Sequence, residues 1–150
     1  MKTTGAMRKT ATVLAFLMLL SSAAFAEDAG SARTNPYIAR TWATVERGSD
    51  GLLNIAFDIS GMGKMDEIGA TTVYLYEVTE TSEKTVAVFS YLNPDYADIM
   101  MGSNSSFHAG NLPYNGTPGH RYYATVYYRA GNANGSGTTS YTTSTVTARS

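Results

Sequence analysis

The chain has 150 residues, no cysteine, and 11 Lys and Arg against 12 Asp and Glu, for a formal net charge of −1. Three of the basic residues, Lys2, Arg8 and Lys9, sit at the extreme N-terminus, so the remainder is acidic and has no basic stripe to neutralise phosphates; nucleic acid is excluded as an expected partner. The absence of cysteine excludes a disulfide scaffold, a lipid-modified N-terminal cysteine, thiol catalysis and thiolate metal sites.

In chain order, the three basic residues precede an apolar run at 11–20 and the ending Ala24-Phe25-Ala26, which reads as a secretory signal peptide cleaved after Ala26. The apolar run is well short of the roughly 20 residues that span a bilayer, so no stable membrane span is expected once residues 1–26 are removed. The expected product is a secreted, extracellular protein of bacterial type. Residues 27–36 are small, polar and aperiodic, a flexible lead-in, and residues 37–150 have the length of one domain with one core.

Residues 37–46 alternate loosely and fit an outer first strand; Trp42, the only tryptophan, is expected to close the edge of the core, with a ligand-stacking platform as the other reading. After the turn Gly48-Ser49-Asp50-Gly51, Leu53, Ile55, Phe57 and Ile59 give the cleanest alternation in the chain, a half-buried strand. Residues 61–69, rich in Gly and Met, read as a connection, and 71–79 as a central strand with Val73 and Leu75 against Tyr74, Tyr76 and Val78. A polar turn leads to a further strand through Val86, Val88 and Phe89, expected to form a hairpin with its predecessor. Residues 93–104 read as a loop with at most one helical turn, 105–109 as a short strand, and 110–119 as a Gly- and Pro-containing loop. Residues 122–129 then alternate Tyr122, Ala124, Val126, Tyr128 against Tyr123, Thr125, Tyr127, Arg129; a loop at 131–137 and a last strand at 138–148 follow. The sum is an all-β domain of about seven antiparallel strands.

Pro118-Gly119-x-x-Tyr122 resembles the corner of fibronectin type III and other immunoglobulin-like sandwiches. There a tyrosine opens strand F and bonds back to the backbone, which implies a structural corner role for Tyr122. Phe57 stands where fibronectin type III domains carry a core tryptophan, so the resemblance is to the immunoglobulin-like sandwich class. The segments MDEIGATTVYLYE, MMGSN with His108, PGHRYYATV and SYTTSTVTA also look like a family of small secreted bacterial proteins of unknown function, a resemblance that implies no activity.

For nucleophilic hydrolysis the sequence offers no Gly-x-Ser-x-Gly, and neither His108 nor His120 has a recognisable partner, so His108 is expected to hydrogen-bond nearby backbone and His120 to be an exposed turn residue. The acids Asp66, Glu67, Asp95 and Asp98 read as solvated loop charges. Met62, Met65, Met100 and Met101 with His108 form the one conceivable soft copper(I) set, weighed against Met as filler between loops and sheet. No cofactor, metal or catalytic residue is expected.

The tyrosines point elsewhere. In the immunoglobulin arrangement strands C, F and G are neighbours, so Tyr74, Tyr76, Tyr123, Tyr127 and Tyr141 are expected to share one aromatic, threonine-rich face. Such a face suits a glycan or an extracellular protein, or else serves only as cross-strand ladders that stabilise the sheet. The expected function is a non-enzymatic adhesion or recognition module, with a Met and His metal carrier or an unrecognised hydrolase as the rival class.

Overall fold

The computed structural model describes residues 35–150. The signal peptide expected at 1–26 and all but the last two residues of the lead-in lie outside the described residues. Among the described residues there are seven strands, built largely on alternation at period 2, and one short helix: β1 (Ile38–Arg47), β2 (Leu52–Val78), β3 (Glu83–Ser90), α1 (Ala97–Met100), β4 (Met101–Asn115), β5 (Arg121–Asn132), β6 (Gly135–Thr142) and β7 (Val146–Thr147). All pairings are antiparallel and join the strands into one sheet.

β2 organises this sheet. Its first part, through Ser60, pairs with β1 on one side and β4 on the other; its last part, from Thr72, pairs with β3 on one side and β5 on the other. β6 and β7 complete the second half by pairing with β5. The inward residues of the first half (Leu53, Ile55, Phe57, Ile59, Leu112) and of the second (Val73, Leu75, Ala124, Val126, Tyr128) belong to one buried cluster. The rings of Phe57 and Tyr128 meet edge to face, with centroids 6.4 Å apart.

Residues 61–69, expected as a connection, are continuous strand. The glycines that suggested a loop serve a bend: the register slips between Ser60 and Met65, and Gly63 sits at φ 153°, outside the usual range of an L side chain. Beyond the bend, β2 is held on both flanks, because Glu67, Ile68 and Gly69 pair with β4 and with β5. The short strand expected at 105–109 is likewise the middle of the 15-residue β4, which absorbs residues 101–104 and 110–115. The expected loop with one helical turn survives as residues 91–100, ending in α1. Gly69 makes room for it: a Cβ there would lie 2.1 Å from the Met100 carbonyl oxygen.

The hairpin after Tyr122 is tighter than expected, since only Ala133 and Asn134 separate β5 from β6. The last strand breaks at residues 143–145 between β6 and β7. There the side chain of the buried Thr143 accepts the Ala124 N–H at 3.0 Å. Asn35, at the end of the lead-in, accepts from the N–H groups of Tyr37 and Ile38 and donates to the Thr138 carbonyl, tying β1 to β6.

Candidate functional site

Residues facing each other across an antiparallel pair share a face. Tyr76 pairs with Tyr123, Tyr74 with Thr125, and Thr72 with Tyr127. These side chains point away from Val73, Leu75, Ala124 and Val126, which fill the core. The result is a ladder of four rings. Tyr123 and Tyr76 stack at 4.8 Å, Tyr76 and Tyr74 at 6.3 Å, and Tyr74 meets Tyr127 edge to face at 5.8 Å. Thr125 bonds Thr142 through their hydroxyls at 3.0 Å, and Ser140 stands opposite Tyr127, so β6 extends the face with hydroxyls. Tyr127 is 45% exposed, and Val88 on β3, paired with Tyr74, is also exposed.

The ends of the ladder are charged. Tyr123 donates its hydroxyl to Glu83 at 2.5 Å; that bond to a carboxylate, with partial burial second, pushes the Tyr123 phenol up to about 12. Burial, and then its tyrosine neighbours, raise the Tyr76 phenol as well. At the other end Arg129 lies 3.6 Å from Glu67, and its Nε makes no hydrogen bond among the described residues.

Four of the five expected tyrosines are thus brought together, and Tyr141 is not. It pairs with Val126, so it shares the core face, where it packs in part against the buried cluster. The positions of β6 on the ladder's face are Thr138, Ser140 and Thr142.

Tyr122 lies on the core face at the foot of β5, almost fully buried. Its hydroxyl accepts the Thr117 N–H at 2.8 Å and donates to Glu77 at 2.9 Å. Glu77 follows Val73 and Leu75 on the inward side of β2 and pairs with Tyr122 across the strands. Its carboxylate also lies 3.3 Å from His120 Nδ1 and 3.5 Å from Lys84 Nζ. The Tyr122 hydroxyl, followed by His120 and Lys84, holds the Glu77 carboxyl below its ordinary value against the opposing effect of burial. This cluster was not foreseen. Carrying the period-2 pattern two residues past Leu75 puts Glu77 in the core, where an acid needs partners. His120, expected to be a partnerless turn residue, is one of them.

Trp42 is corrected too: it stands on the outer face of β1, 40% exposed, and does not close the core. His108 Nε2 bonds the Ile99 carbonyl oxygen at 2.8 Å. Of the methionines, Met62 is exposed and Met65 and Met100 are buried in the core. Among the described residues no group of three or more His, Asp or Glu is placed to hold a metal ion, and no helix is long and apolar enough to cross a membrane.

No protein-family model matches this chain, and no curated protein matches it in sequence.

Proposed function

We propose that the chain is a secreted, immunoglobulin-like sandwich module that works outside the cell by non-covalent recognition of a glycan or protein, through the tyrosine ladder of β2, β5 and β6. Support for the sandwich class comes from the pairing order. β1, the first part of β2 and β4 stand as strands A, B and E of that class, while the last part of β2, β5 and β6 stand as C, F and G. The Tyr122 hydroxyl bonding back to Thr117 supports it as well.

The observation that carries the recognition role is the unbroken four-ring ladder on the face the core does not use. Tyr offers a large apolar area with a hydroxyl at low entropic cost, which is why it is enriched at binding surfaces. The rings stand on paired strands rather than loops, so the face is preorganised.

A glycan and extracellular-protein array, probed with the unmodified chain and with Tyr123→Ser/Tyr127→Ser, tests this reading. Binding lost from a variant that keeps its circular dichroism and cooperative melting is the expected result. A folded variant that keeps every array partner of the unmodified chain overturns the ladder as a site.

The rival hydrolase reading draws on the pair Glu77 and His120, which resembles two members of a triad. Among the described residues no hydroxyl hydrogen-bonds to His120, and Glu77 is already engaged by Tyr122 and Lys84. Recognition is therefore the better supported function.

A further inference from the structure

Two more aromatic rings stand exposed on the opposite half of the sheet, Trp42 at 40% and Phe107 at 49%. Trp42 on β1 pairs with Asp58 on β2, and Asp58 with Ala109 on β4; Phe107 is the next residue of β4 on that outer face, paired with Ser60. Two strand spacings, roughly 10 Å, separate the rings across the sheet, with a two-residue offset along the strands, and Asp58, Ser60 and Ala109 stand on the face between them. On the same face is an ion pair, the Arg40 guanidinium, its side chain 64% exposed, 3.0 Å from the carboxylate of the less exposed Asp58. Both rings ride on fixed backbone. The Tyr128 hydroxyl donates from the core side to the Trp42 carbonyl, and Ser105 Oγ accepts the Phe107 N–H while donating to the Phe107 carbonyl.

We infer that this face is a second binding site, and that its ligand is a neutral polysaccharide. A sugar ring has an apolar C–H face that stacks on an aromatic ring, and hydroxyls that both donate and accept. The ion pair supplies a donor and an acceptor with no net charge, so an uncharged hydroxyl bonds to both without separating them. A polyanion drawn to Arg40 also lies against Asp58, and a polycation drawn to Asp58 also lies against Arg40, so neither gains net attraction from the pair. A protein partner has to desolvate the same pair for only two large apolar side chains, a poor exchange beside the packed centre of a protein interface. The site does not depend on the tyrosine ladder, which lies on the other half of the sheet.

Trp42 is the sole tryptophan, so its fluorescence reports on this face alone. The full chain is titrated with hydroxyethyl cellulose, soluble mixed-linkage β-glucan and mannan, and with alginate as the polyanion. The expected result is a saturable change in Trp42 emission with at least one neutral polymer, with protection from acrylamide quenching, and neither with alginate. Phe107→Ala retains the reporter and is expected to weaken binding about tenfold, the size of one aromatic contact; Tyr123→Ser/Tyr127→Ser is expected to leave the signal unchanged. No response to any neutral polymer, an equal response to alginate, full affinity in folded Phe107→Ala, or loss of the signal in the tyrosine variant would each overturn the site. Acrylamide protection in the unmodified chain needs no variant: a polymer that binds while leaving Trp42 fully quenchable also overturns it.

Discussion

Glu77 and Tyr122 face each other across β2 and β5, and the tyrosine hydroxyl spends its proton on the carboxylate while its lone pair takes the Thr117 N–H. One buried hydroxyl thus serves two groups that have no other hydrogen-bond partner as good. Tyr122→Phe should cost about 1–3 kcal/mol, because it takes the acceptor from the part-buried Thr117 N–H and removes a buried bond to a charged acceptor. Chemical denaturation checks this, and an unchanged midpoint would remove the hydroxyl from the stability of the fold. Tyr123→Phe, whose hydroxyl meets the exposed Glu83, should cost less than about 1 kcal/mol.

Acid should act through Glu77. Its pKa is depressed in the folded chain, so its contribution is fully present above the unfolded carboxylate value of about 4.3 and is lost as pH falls through the lower folded value. Melting temperature followed from pH 6 to pH 2 should fall across that window, and Glu77→Gln should fall less steeply. Parallel curves for the two proteins would show that other carboxylates govern acid unfolding.

Alkali acts in the opposite sense on the phenols. Tyr122, Tyr123 and Tyr128 are all raised, Tyr122 and Tyr128 chiefly by burial and Tyr123 chiefly by its bond to Glu83. A raised phenol contributes stability that is complete below its unfolded value near 10 and lost as pH rises toward the folded one. Ultraviolet titration should therefore show the last tyrosines ionising together with unfolding above pH 10. Ionisation of all 11 tyrosines in a folded chain would contradict this.

Two glycines should respond differently to alanine. At Gly69 the new Cβ meets backbone, the Met100 carbonyl and the Met101 Cα, so Gly69→Ala should cost about 1–3 kcal/mol or push α1 off the sheet. Gly119, in the turn before β5, has open space but φ +84°, and its alanine variant should lose only about 1 kcal/mol, through backbone strain. Equal losses would mean that crowding at α1 is relieved elsewhere.

Where the apolar period was clean, the sequence placed strands well: Leu53 to Ile59 and Tyr122 to Tyr128 lie as their alternation requires. Parity within one strand was legible, which is why four tyrosines were correctly grouped. Parity in β6, whose GSGTTSYT has no apolar alternation, was not. Tyr141 shares the core face because a two-residue turn, Ala133-Asn134, sets the register of β6, and changing a register by one residue moves every side chain to the other face. The bend in β2 was hidden by its own chemistry, since the Gly and Met residues that let a strand turn through the fold are those that also mark loops. Trp42 was misplaced because size alone suggests burial, whereas the neighbours Ala43 and Val45 occupy the inner face of β1.

The continuity of β2 has a mechanical meaning. Trp42 and Phe107 flank its Asp58 and Ser60, and the tyrosine ladder includes its Tyr74 and Tyr76, so the two proposed ligand faces are joined by one covalent run of backbone. A pull between a polysaccharide held on one face and a partner held on the other loads that run end to end. The tension enters β2 through its hydrogen-bonded pairings with β1 and β4, runs along its peptide bonds, and reaches Tyr123 and Tyr127 through its pairing with β5.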